Sequence, residues 1–163
     1  MKLVKLLAAV LILTAAVFAI RRWCWVPVHC SVIAGRVDRR LGLLETASLY
    51  EIEIGTRRNL QMIEPCVAAM PWNVVWRELA AQNYRLREDH ENVRRQYELA
   101  LQYDKRPEFH FRLGMALLAL GREDEARPHL MIGGTVWPHY LLRLPQPMQN
   151  EMLNRVYEIR KGN

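Results

Sequence analysis

Cysteine is scarce in this sequence, with three in 163 residues, too few for a disulfide scaffold. No CxxC pair occurs and no Cys/His cluster has ligand spacing, which argues against a structural zinc site. The five histidines, His29, His90, His110, His129 and His139, are scattered, and none is paired at the i, i+4 spacing of a helical metal site. A glycine-rich phosphate loop, a serine nucleophile elbow and paired catalytic carboxylates are also missing. Glycine and proline, eight of each, fall at intervals, and no segment sustains the two-residue alternation of a half-buried strand. These absences point to a non-enzymatic helical protein that needs no cofactor and no metal. An enzyme would return to consideration only if His110 and His129, placed to meet across one helical hairpin, converged with a carboxylate in one cleft.

Charge of one sign is in excess, +6 overall with a pI near 9.5, which by itself suggests a nucleic-acid partner. Its distribution weakens that suggestion. Lys2, Lys5, Arg21 and Arg22 supply four of the six, leaving 19 basic against 17 acidic groups in residues 23–163. Arg85, Arg87, Arg94, Arg95 and Arg106 form the one basic cluster. They are interleaved with Glu88, Asp89, Glu91, Glu98 and Asp104, the pattern of a solvated face with i, i+4 pairs. A basic nucleic-acid-binding helical protein is therefore the weakest alternative.

Between those basic pairs, residues 6–20 read LLAAVLILTAAVFAI without a charge. Starting at Leu3 and letting Lys5 snorkel gives about 18 helical residues, enough to cross a hydrocarbon core about 30 Å thick. Trp23 and Trp25 follow at the headgroup position that amphipathic rings favour. A cleaved signal peptide ending at Val17-Phe18-Ala19 is the competing expectation, but two arginines and Trp-Cys-Trp directly after it make a poor mature start. Residues 1–22 are accordingly read as a membrane anchor and 23–39 as a juxtamembrane linker or helix. Flanking arginines favour a cytoplasmic body, whereas a short basic N-terminus before an apolar run favours export. The expectation adopted is a single-pass inner-membrane protein with a periplasmic body, a cytoplasmic body being the alternative.

From about Arg40 onward the apolar spacing is helical. Val93, Tyr97, Ala100 and Leu101 lie on one face, as do Leu113, Ala116, Leu117 and Leu120, and Gly121 ends that second run. Asp124 and Glu125 suit the first turn of the next helix. Pro71, the Asp104–Pro107 stretch and Pro138 recur about every 34 residues. Leu113-Gly114, Leu117, Gly121, Ala126, Leu130, Gly133 and Pro138 stand in an order that resembles the tetratricopeptide repeat (TPR) family. Trp76, Leu79, Ala80, Tyr97 and Ala100 suggest a preceding repeat, with an extra residue around Glu88–His90 and Lys105 where proline is usual. Leu43, Ala47, Tyr50, Ile63, Cys66 and Pro71 suggest a third, with Thr46 and Asn59 off pattern. The resemblance implies an all-α helical-hairpin solenoid over residues 40–140, divided at 40–72, 73–106 and 107–140. Residues 141–163 supply a capping helix, with Met148, Met152, Val156 and Ile159 on one stripe.

By the same resemblance, first helices line a concave face that binds protein. The register places Leu41, Leu44, Ser48 and Glu51 there, then Val74, Arg77, Ala81, Tyr84 and Arg85, then Glu108, Phe111, Met115 and Leu118. The expected partner-binding residues are Leu44, Arg77, Ala81, Tyr84, Arg85, Phe111, Met115 and Leu118, suited to an extended or helical apolar peptide. Ala81 and Met115 stand where a carboxylate-clamp TPR needs Asn, so an acidic chaperone tail does not fit. Residues 26–40 or the C-terminal helix filling the groove is the competing expectation. The function expected is a membrane-tethered protein-interaction scaffold with no small-molecule substrate. The alternative is a permanently assembled accessory subunit of a membrane complex. Residues 60–73 and 81–86 also resemble TPR segments attached to envelope polysaccharide-assembly proteins. In an exported body, a Cys24–Cys30 disulfide is a further possibility.

Overall fold

A computed structural model describes residues 2–162 of the chain. It is all-helical, with no strand among the described residues. The apolar run forms α1 (Lys2–Ile20). A π-helical turn, Arg21–Trp25, carries the chain without a break into α2 (Val26–Leu44). Then come α3 (Leu49–Ala69), α4 (Val74–Leu86), α5 (His90–Leu101), α6 (Pro107–Ala119) and α7 (Glu123–Val136). A 3₁₀ turn over Pro138–Arg143 precedes α8 (Met148–Lys161). From Leu7 to Ile20 the described side chains of α1 stand free of the body, with Leu11 69% and Phe18 69% exposed. The continuous helix Val10–Leu44, which begins within α1, is by length and composition long and apolar enough to cross a bilayer.

Local chemistry sets the boundaries. Ser48 and Glu51 form a reciprocal capping box at the start of α3. Asn73 accepts from the Val75 amide at 3.1 Å, and Asp89 from the Asn92 amide at 3.2 Å, opening α4 and α5. Pro107 begins α6, where its missing N–H costs nothing. From α2 to α7 each helix is joined to the next by a short turn and packs against it, so these successive helices run antiparallel. Arg87 pairs with Glu53 at 3.1 Å and Asn83 accepts from Asn59 at 3.0 Å, which fixes α4 against α3. Close approach fixes α7 against α6: a Cβ on Gly133 would lie 2.5 Å from Phe111 Cβ and 3.0 Å from the Pro107 carbonyl.

Two apolar cores result. One joins α2, α3 and α4 through Cys30, Val37, Leu41, Ile63, Cys66, Trp76 and Leu79. The other runs from Ala81 of α4 through α5, α6 and α7 to Leu141, Leu144, Met152 and Val156. Tyr84 packs against both and joins them.

The hairpins over 74–101 and 107–136 lie within the segments 73–106 and 107–140. Residues 40–72 do not form a short helical pair. They hold the last turn of α2 and a single 21-residue helix, α3. Gly55 and Pro65 look like interruptions in sequence, but neither breaks it. A side chain at Gly55 would strike Leu44, 2.7 Å from its Cδ2, so glycine there allows α2 to pack closely. Pro65 is exposed, so the carbonyl it frees faces solvent. Leu43 and Tyr50, expected at packed positions, are 74% and 75% exposed. Of the linker or helix expected over residues 23–39, the structure has helix, with Cys30 and Val37 as core residues of α2. After residue 140 the 3₁₀ turn ends at Arg143, and the apolar stripe expected from Met148 onward forms α8.

Candidate functional site

A concavity of about 480 Å³ lies where α4, α5 and α6 meet the 3₁₀ turn. Its floor is apolar: Ala81 from α4, Val93 and Tyr97 from α5, Phe111, Met115 and Ala116 from α6. The Tyr140 ring closes one side, 4.9 Å from the Phe111 ring, and Arg143 lies over Tyr140 at 5.6 Å. Arg85, His90 and Arg143 supply polar groups to the lining. Arg112 is tied down at 2.6 Å by Glu108 and at 3.7 Å by Glu78. Burial opposes its charge, but Tyr97, Glu108 and Glu78 outweigh that and hold the guanidinium more firmly charged than usual. Burial also pushes the Tyr97 phenol up. Arg85 is the less committed cation, with Glu45 3.9 Å away and much of its side chain in solvent.

Of the eight residues expected on the concave face, Ala81, Arg85, Phe111 and Met115 line this groove. The other four do not. Leu44 is buried beside Gly55 in the α2–α3 corner. Tyr84 is spent on joining the two cores, and Leu118 packs on the second. Arg77 is 9% exposed and its Nε has no protein partner among the described residues. Val93, Tyr97, Tyr140 and Arg143 also line the groove and were not expected there. The first two read as ordinary core positions of a second helix. The last two belong to a 3₁₀ turn that has no periodicity to detect. Neither α2 nor α8 enters the groove: α2 packs on α3 and α4, and α8 on α7 and the 3₁₀ turn.

His110 and His129 do meet across the α6–α7 hairpin, with Nδ1 atoms 2.8 Å apart and ring centroids at 5.1 Å. One Nδ1 must donate and the other accept, so both rings cannot be protonated while this contact lasts. Burial lowers the pKa of both; the His129 charge and Lys105 lower His110 further, while Glu98 opposes the shift at His129. Glu98 is itself engaged by Arg94. Among the described residues no carboxylate hydrogen-bonds to either ring, and no group of three or more His, Cys, Asp or Glu is placed to hold a metal ion.

The cysteines are arranged differently from the Cys24–Cys30 pair suggested by their nearness in sequence. Both lie on one unbroken helix, and six residues at about 1.5 Å each separate them by about 9 Å along its axis, beyond the Cα separation of about 7 Å that a disulfide tolerates. Cys24 is exposed, Cys30 and Cys66 are buried. Burial, with Cys30 beside it, pushes the Cys66 thiol up to about 12.

The fold and site together define an all-helical protein with one long apolar helix and an apolar groove carrying arginines. Comparison with protein-family profiles, with curated proteins and with solved structures finds no match to this chain.

Proposed function

We propose that this chain is a non-enzymatic, membrane-tethered scaffold, TPR-like in build, which holds another protein in its groove. The observation that carries the proposal is the groove itself. Phe111, Met115, Tyr97 and Tyr140 offer an apolar trough, while Arg85 and Arg143 place positive charge around it. Helix-sized or extended apolar peptides with an acidic flank match that combination. Arginines elsewhere are largely neutralised: Arg87 by Glu53, Arg94 by Glu91 and Glu98, Arg106 by Asp104. That pairing disfavours nucleic acid, which needs a continuous run of free cations. A periplasmic body at the inner membrane is the location adopted, and a reporter fused after Asn163 tests it.

The test of the groove is photo-crosslinking in intact membranes. A photoreactive residue replacing Met115 is expected to capture a defined protein, and one replacing the exposed Leu43 is not. Arg85→Glu, at a largely exposed side chain of the groove lining, is expected to weaken the Met115 adduct several-fold while leaving the circular dichroism spectrum helical. Equal capture from both positions, or none from either, sinks the proposal. A stoichiometric adduct that survives purification identifies the occupant as a fixed subunit; an exchanging one identifies the chain as a recruiter.

A further inference from the structure

The end of α3 is tied to the helix that leaves the anchor. Arg22 donates to the Ala69 carbonyl at 3.0 Å, across 47 positions of sequence. Ala69 is the last residue of α3, where carbonyls lack helical partners and the helix dipole favours a cation. The same guanidinium lies 5.7 Å from the Trp72 ring centroid. Trp72 is 51% exposed, and Trp23 and Trp25 are 76% and 58% exposed. The corner Met70-Pro71-Trp72 therefore stands level with the π-helical turn.

That level is defined by the anchor. Arg22 is two residues beyond Ile20, the end of the apolar run, hence about 3 Å further along the axis. The headgroup layer on each side of a hydrocarbon core is about 5–7 Å thick. If α1 spans, Arg22 and the ring it holds lie inside that layer. We infer that the α3–α4 corner is a second membrane contact, with Trp72 seated among lipid headgroups beside Trp23 and Trp25. The inference rests on the spanning of α1.

The turns of the body follow the same polarity. Because the helices alternate in direction, the α5–α6 turn lies at the same end as Trp72, and it presents Tyr103 and Lys105, while Arg106 is paired with Asp104 at 2.7 Å. The turns at the opposite end carry Glu45, Glu88 and Asp89, with Glu123 and Asp124 opening α7, and their two arginines, Arg87 and Arg122, are paired with Glu53 and Glu125. Exposed aromatics and cations suit a headgroup layer with anionic lipid, and acidic turns suit the side away from it.

The experiment uses the full chain with Cys24→Ser, reconstituted into phosphatidylcholine–phosphatidylglycerol vesicles. Trp72→Cys is labelled in the folded protein with an environment-sensitive nitrobenzoxadiazole dye, and Glu45→Cys serves as the distal control. Emission from position 72 is expected to be blue-shifted and quenched several-fold more than that from position 45 by a lipid with a headgroup nitroxide. Equal quenching at the two positions, in chains that float with vesicles and resist carbonate extraction, overturns the inference alone. Failure to float or resist extraction overturns the spanning of α1 as well, and with it the inference.

Discussion

Two side-chain contacts carry consequences that can be measured residue by residue. The first is the His110–His129 pair. Both imidazoles have pKa values below their ordinary 6.5, so the unfolded chain binds protons more readily than the folded one. The stability this contributes is fully present above about pH 6.5 and is lost as pH falls through the lowered folded values. Lys105 facing His110 strengthens the effect and Glu98 facing His129 softens it. The carboxylates held low by hydrogen bonds, Glu51, Glu91, Glu125 and Glu151, begin to matter only below their ordinary 4.5. Between about pH 6.5 and 5 the histidines therefore dominate. The thermal midpoint is expected to drop over that interval, and to drop less in His129→Gln, whose amide stays neutral. A wild-type midpoint flat across it contradicts the argument. The second contact is that of Cys30 with Cys66. A bulky maleimide reagent is expected to add once to the folded protein, at Cys24, and three times after denaturation. No addition under non-reducing native conditions would bring back a Cys24–Cys30 disulfide.

At the scale of elements, the hairpin α6–α7 was legible because its small residues have a job that leaves few alternatives. Gly133 must lack a side chain for α6 to come near, and Leu113, Leu117 and Leu130 repeat at helical spacing around it. The segment before residue 70 was not legible, for equally physical reasons. Pro65 and Gly55 mimic helix ends, Leu43 and Tyr50 fall at helical spacing yet face solvent, and Arg21-Arg22 followed by Pro27 suggests a break where the helix runs on. Pro27 directly follows the π-helical turn, whose wider i→i−5 bonding, Val26 N–H to the Arg21 carbonyl, is where the running helix accommodates the missing N–H. One side of the groove was hidden for another reason: Tyr140 and Arg143 reach it from a turn whose placement depends on tertiary packing. That turn depends in turn on α8. Met152 is fully buried against the second core, and Arg127 reaches Glu151 across the α7–α8 interface at 2.7 Å. Met152→Ala is expected to destabilise the fold by about 2–5 kcal/mol, measured by urea unfolding followed by circular dichroism. A loss well under 1 kcal/mol would show that α8 is an appendage.

For the whole molecule, the consequence is that the apolar helix and the body are joined by helix without a break. α1 and α2 have 19 residues each, about 28 Å apiece at 1.5 Å per residue, joined by a π-helical turn and not by a hinge. The first length matches a bilayer core and the second is buried along one side in the α2–α3–α4 core. The posture of the groove relative to the membrane is then set by helix continuity and by the tie between Arg22 and Ala69. Four residues, Gly-Ser-Gly-Ser, inserted between Arg22 and Trp23 remove both constraints and leave every core residue in place. Such a chain is expected to unfold at the same temperature as the parent and to remain in the membrane fraction. Its dye at position 72 is expected to lose most of its headgroup quenching, because the body can now turn away. If the quenching persists undiminished, the aromatic and basic turns hold the body down by their own attraction to lipid. The unbroken helix is then not what sets the posture.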